Sequence, residues 1–255
     1  MRQLHMLCAM ENIDTQGKQN MKYLQTDKYL GEADCAADVE KPLQPVEVRL
    51  DELDAKLANL PADAPIDDRL RIRLDKGYTL LELTRHQDAW DLARAAFDDA
   101  VENDAWLRAV EACDIMFQSE QPEALRALAH GIWLGVTFPI DPELSVAMLQ
   151  HLINESPDRS DGAAVAAATA SYIVNLRAEG KAREDLIFFT TQLLGQVARR
   201  HSQVEEQEIF DFWVQQLELD DPDKFLPRLA KVLDILAEDD WWFNRDELRG
   251  KIPPE

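Results

Sequence analysis

The chain has 255 residues, 46% of them apolar and 30% charged, with nine Gly, twelve Pro and a formal net charge of −22. That length can bury a substantial core, and a surface this acidic repels phosphate backbones and anionic lipid, which argues against nucleic acid and membrane as partners. The acidity is uneven: residues 1–65 carry −5, 66–160 carry −9, 161–202 carry +1 and 203–255 carry −9.

Residues 1–44 show no sustained hydrophobic period and are expected to form a largely irregular N-terminal arm, with a short ordered patch over 23–30. The first eight residues have too short an apolar core for a secretory signal, and Met21 is the expected initiator. Residues 45–255 are expected to form a single all-helical domain. Val46, Leu50, Leu53, Leu57 and Leu60 lie on one helical face, and Pro61 and Pro65 bracket a linker. A helix over 66–83 carries Leu70, Leu74, Gly77, Leu80 and Leu81. Thr84-Arg85-His86-Gln87 has capping-box spacing and predicts a helix through Trp90, Ala93, Ala96, Phe97 and Ala100. Asn103 or Asp104 is the expected cap of the next, through Leu107, Val110, Ile115 and Phe117. Gln121-Pro122 opens another, through Leu125, Leu128 and Ile132.

Asp141-Pro142 and Asp221-Pro222 share one start signal, a capping carboxylate followed by proline at the first helical position. Between them, an Ala-rich helix over 161–179 is expected to close at Gly180. A helix over 181–200 ends on Arg199 and Arg200, basic residues that suit a helix C-terminus. Ser202-Gln203-Val204-Glu205 reads as a second capping box, opening a helix through Phe210, Trp213 and Leu217. A long helix over 222–238 and a short one over 241–249 complete the chain. No stretch alternates apolar and polar residues over a strand's length. The expected fold is all-α: antiparallel hairpins at 66–102, 104–136, 141–179, 182–217 and 222–249, stacked into a short superhelix, with a compact helical bundle as the alternative.

The stacking expectation comes from an internal echo. Gly77, Leu80, Ala89, Ala93 and Ala96 recur 35 residues later as Ala112, Ile115, Ala124, Leu128 and Gly131. Small residues repeated at such a period let one helix approach the next closely. Over 66–136 the pattern resembles a tetratricopeptide repeat: Gly77 and Ala112 match its small position in the first helix, Leu80 and Ile115 the large apolar one. Ala89 and Ala124 match the early small position of the second helix, and Ala96 and Gly131 the later one. The chain departs from the pattern where Arg73 and Arg108 replace an aromatic and Val101 and Val136 replace a proline. The resemblance implies binding of a protein segment.

Sequence signatures of chemistry are few. The chain has no phosphate loop, GxGxxG, GxSxG or HExxH. Cys8, Cys35 and Cys113 share no metal-ligand spacing and cannot pair fully, which points to a reducing compartment; Cys113, in an apolar run, is expected to be an inert buried thiol. His201, Glu205 and Glu208 would share a face on a continuous helix and could hold a metal, although a cap at Ser202 would remove His201 from it. His130 and His151, in apolar helical stretches, are expected to be core or groove histidines. Trp241-Trp242-Phe243, followed by Arg245, would be costly to leave in water and is the candidate partner-binding patch, or else the cap on the last hairpin.

Taken together, the expected protein is a cytoplasmic, non-catalytic interaction scaffold, adaptor or assembly chaperone that needs no cofactor. A protein partner with a basic segment suits its acidic faces. The alternatives are a metal-binding or enzymatic bundle built on His201, Glu205 and Glu208, and a homo-oligomer joined through 241–243.

Overall fold

Leu and Ala, which surrender little freedom on entering a helix, are the commonest residues of the chain from residue 43 onward. The computed structural model describes residues 22–24 and 43–252, and among these it is all-helical, without a strand. The elements are α1 (Leu43–Ala58), α2 (Ile66–Glu82), α3 (His86–Glu102), α4 (Trp106–Gln118), α5 (Ala124–Thr137), α6 (Pro142–Glu155), α7 (Asp161–Arg177), α8 (Gly180–Ser202), α9 (Gln207–Gln216), α10 (Pro222–Leu236) and α11 (Arg245–Arg249). No helix among the described residues is long and apolar enough to cross a membrane.

From α1 to α9 each helix packs on the next. In addition α2 touches α4, α4 touches α6 and α6 touches α8, so the first helices of successive hairpins stack side by side. The ten echo positions are all buried. Two of them show why small residues are needed. A Cβ on Gly77 would come within 2.9 Å of Ile115 Cδ1, and one on Gly131 within 2.7 Å of Cys113 Cβ and 2.4 Å of Met148 Cε. These glycines set the spacing of α2 against α4 and of α5 against α4 and α6.

The chain's end departs from the expected pairing. Instead of forming a fifth hairpin over 222–249, α10 turns back and packs against α5 and α7. Its hydrophobic side, with Phe225, Leu229 and Leu233 buried, joins a core that runs without interruption from Leu50 to Leu248.

The two Asp-Pro starts form as expected. Asp141 accepts the N–H of Glu143 at 2.9 Å and Asp221 that of Asp223 at 3.0 Å. The two expected capping boxes do not form. Thr84 takes φ 55° at the end of α2, with the Arg85 N–H reaching back to the Leu80 carbonyl, and α3 starts without a side-chain cap. Ser202 is the last residue of α8, and Gln203, at φ 56°, ends that helix. Asn103 likewise terminates α3 and Asp104 follows at φ 56°, so neither caps α4. In each case a six-residue closure bond or a left-handed residue ends one helix where the polar side chain was expected to begin another. Gly180 has the left-handed φ (59°) of a terminating glycine, but it opens α8, while α7 has already ended at Arg177. Of the expected patch over 23–30, residues 25–30 lie outside the described residues, as do Cys8 and Cys35. Cys113 is free and fully buried, and burial pushes its thiol well above its ordinary pKa.

Candidate functional site

Helix α4 is apolar through Ala109, Val110, Ala112, Cys113, Ile115 and Met116, yet Glu111 and Asp114 sit one turn apart within that run. Both are buried, at 2% and 3% exposure. Carboxylates at that depth need partners, and the stacking of α2, α4 and α6 supplies them in two parallel rungs.

The first rung begins at Asp67 on α2. Arg108 of α4 grips it with two hydrogen bonds, from Nε at 2.8 Å and Nη2 at 3.0 Å. This hydrogen bonding holds the Asp67 carboxyl below its usual range. The third nitrogen of the same guanidinium, Nη1, donates to Glu111 Oε2 at 2.8 Å, which leaves Oε1 for other donors. That oxygen receives the Tyr23 hydroxyl at 2.5 Å and the Lys22 ammonium at 3.1 Å. The tripeptide Lys22-Tyr23-Leu24 therefore lies on this face, with Leu24 only 8% exposed. Its main chain is held as well: the Tyr23 N–H donates to Glu143 Oε1 of α6 at 2.6 Å, and the amides of Lys22 and Leu24 turn toward the same carboxylate. Burial raises the Glu143 carboxyl pKa; burial and the charge of Glu111 push the Tyr23 hydroxyl far above its normal range, so it remains a donor.

In the second rung, Asp114 Oδ2 accepts from the Tyr78 hydroxyl of α2 and from Gln118 Nε2, both at 2.8 Å. Its Oδ1 accepts from His151 Nε2 of α6 at 3.0 Å, the tautomer a carboxylate acceptor selects. Phe117 packs on the His151 ring at 4.6 Å between centroids. Burial, then the charge of Asp114, raises the Tyr78 hydroxyl well above its ordinary pKa. The face is thus rich in fixed acceptors, suited to hydroxyl, ammonium and amide donors.

The residues singled out from the sequence lie elsewhere. Trp241, Trp242 and Phe243 are partly buried and dock on α3 and α5 around His130, whose ring stacks on Trp242 at 4.3 Å. Phe97 lies 5.5 Å from Trp242, and Arg94 covers the other ring contact at 4.4 Å. Arg245 lies over Trp241 at 4.2 Å and pairs with Asp234 at 2.7 Å. These side chains are therefore engaged within the chain. His130 Nδ1 donates to the Arg126 carbonyl at 2.6 Å, and burial pushes its pKa down to about 4.

His201, Glu205 and Glu208 do not share a helix, because Gln203 interrupts it. Both ring nitrogens of His201 are engaged, Nε2 with Asp161 at 3.0 Å and Nδ1 with the Trp213 indole N–H at 3.2 Å. Among the described residues no group of three His, Cys, Asp or Glu side chains is arranged to hold a metal. His130 and His151 belong to separate networks.

Glu111 and Asp114 were missed in the sequence. Their signal was present: two acids one turn apart inside an otherwise apolar helix, preceded by Arg108. Comparison of the chain with protein-family models, curated proteins and solved structures yields no match.

Proposed function

We propose that this chain is a non-catalytic protein-interaction scaffold, an adaptor or assembly chaperone of tetratricopeptide-like character acting in the cytoplasm, and that it holds a partner's segment on the face built by α2, α4 and α6. One observation carries this reading: the acceptors of that face already hold three residues of peptide, Lys22-Tyr23-Leu24, through both side-chain and main-chain hydrogen bonds. A site that grips main-chain amides reads any extended segment, while Glu111 and the negative charge of residues 66–160 favour a basic one. The rigid helices supply preorganised acceptors, so little ordering is lost on the scaffold side when a segment binds.

The test is affinity capture from the native cell, using the full chain, a Glu111→Gln/Glu143→Gln variant and a Trp242→Ala variant. A partner recovered in stoichiometric amount with the full chain and Trp242→Ala, but lost from the double variant, supports the reading. Identical recoveries from all three would sink it.

A further inference from the structure

A cavity of about 640 Å³ opens between the α4–α5 turn and the last turn of α6, and most of its polar groups are acceptors. His151, 5% exposed, spends its Nε2–H on Asp114. Its Nδ1 has no hydrogen-bond partner among the described residues and is not sealed in the core, so it presents a lone pair to the cavity. Gln118 Nε2 donates to Asp114 and Gln121 Nε2 to the Ser119 carbonyl, acceptors that fix which end of each amide is nitrogen. Both glutamines therefore have a carbonyl oxygen left for a ligand. Glu120 and Glu155 add two exposed carboxylates that form no ion pair among the described residues. No lysine or arginine among the described residues lines the cavity. Helix α4 ends there at Gln118 and α6 at Glu155, setting two negative helix ends against the one positive end of α5. Phe117, packed on the His151 ring, and Pro122 and Leu125 form an apolar wall.

We infer that this cavity binds a guanidinium group, carried either by a small compound or by an arginine of another polypeptide. A cationic donor is selected because a carboxylate or phosphate would meet only like charge and lone pairs there. A guanidinium fits better than an ammonium for two reasons. It offers five donors in one plane to acceptors that come from α4, from the turn after it and from α6. Its flat, weakly hydrated face can also lie against Phe117 at little desolvation cost, which a compact ammonium cannot do. The inference goes beyond the scaffold reading and does not rest on it, because Glu111 and Glu143, which hold Lys22-Tyr23-Leu24, do not line this cavity.

Isothermal titration calorimetry on the full chain tests it with two guanidinium probes, ethylguanidinium and a blocked Gly-Arg-Gly peptide. Ethylammonium and Gly-Lys-Gly keep the charge; ethylurea and Gly-citrulline-Gly keep the shape without it. At least one guanidinium probe is expected to bind at a single site, about ten-fold more tightly than its two controls. The tighter of the two probes identifies the source, a free compound or an arginine of a polypeptide. His151→Gln is expected to weaken binding by about ten-fold. Should that variant fail to fold, Glu120→Gln/Glu155→Gln, at exposed positions, is expected to weaken it by about five-fold. Glu206→Gln/Glu208→Gln removes the same charge from exposed positions at the start of α9 and should leave binding unchanged. Failure of both guanidinium probes, equal binding of a control, indifference to the cavity variants, or equal weakening by the α9 pair would each overturn the inference. Capture of a partner that depends on Glu111 and Glu143 decides the scaffold reading separately.

Discussion

The main-chain N–H of Trp242 donates to Nε2 of His130 at 2.8 Å, joining residues 112 apart in the chain. His130 can accept that bond only while neutral, since its other nitrogen already donates to the Arg126 carbonyl. The bond therefore ties the docking of the C-terminal segment on α3 and α5 to the protonation of one buried ring.

A pH dependence follows. The pKa of His130 falls from 6.5 in the unfolded chain to about 4 in the fold, because burial disfavours the charged ring. Above pH 6.5 the ring is neutral in both states and its contribution to stability is complete. As the pH falls toward 4, the unfolded chain takes up a proton that the fold refuses, and on the order of 3 kcal/mol of stability is lost. Urea unfolding should show the unaltered chain losing about 2 kcal/mol relative to His130→Gln between pH 7 and pH 5. A constant difference would remove this role.

Breaking the Arg108–Glu111 pair should be severe. Arg108→Met leaves Glu111, at 2% exposure, with only the more exposed Lys22 ammonium as a cation, and we expect a loss of about 2–3 kcal/mol. Replacing both residues with apolar ones, Arg108→Met/Glu111→Leu, removes the buried carboxylate and should recover part of it, although the Tyr23 hydroxyl then loses its acceptor. Equilibrium denaturation of the two variants decides the matter; a double variant as unstable as the single would show that the carboxylate was not the cause.

Two Gly→Ala substitutions should have opposite signs. At Gly131 the new Cβ would meet Cys113 Cβ at 2.7 Å, a contact that only a shift of α5 against α4 relieves, and a loss of about 2 kcal/mol is expected. At Gly195, within α8, the nearest atom is the tip of Arg199 at 3.9 Å, and alanine should stabilise by about 0.7 kcal/mol. Thermal melts of the pair suffice, and equal signs would refute the packing account.

Thr84 is a β-branched residue at φ 55° on an exposed turn. Its side chain makes only a local hydrogen bond to the Leu83 carbonyl. Thr84→Gly should therefore relieve strain and raise stability by about 0.5–1 kcal/mol. A lower melting temperature would show that the turn is not strained.

The all-α class, the order of the helices and the buried echo between 77–96 and 112–131 were legible in the sequence, because they depend on period and propensity within each segment. So were the caps at Asp141 and Asp221, whose hydrogen bonds span two residues. Thr84 and Ser202 were misassigned because a polar residue next to a helix boundary can serve the helix before it or the one after, and the backbone dihedral decides which. The candidate site was hidden for a different reason. Glu111 and Asp114 look like exposed charges on a helix; their partners on α2, on α6 and at Tyr23 lie 36 or more residues from Asp114 or 88 from Glu111. Likewise, nothing in Pro222–Leu236 says that α10 will leave the hairpin pattern and pack on α5 and α7, since its apolar stripe could cover any apolar neighbour. The sequence by itself determined what each segment becomes, for that is set by short-range hydrogen bonds and side-chain entropy. Only the tertiary structure decided which segments meet, because burial is non-directional and the pairing of buried charges is settled by whichever helices the packing brings within reach.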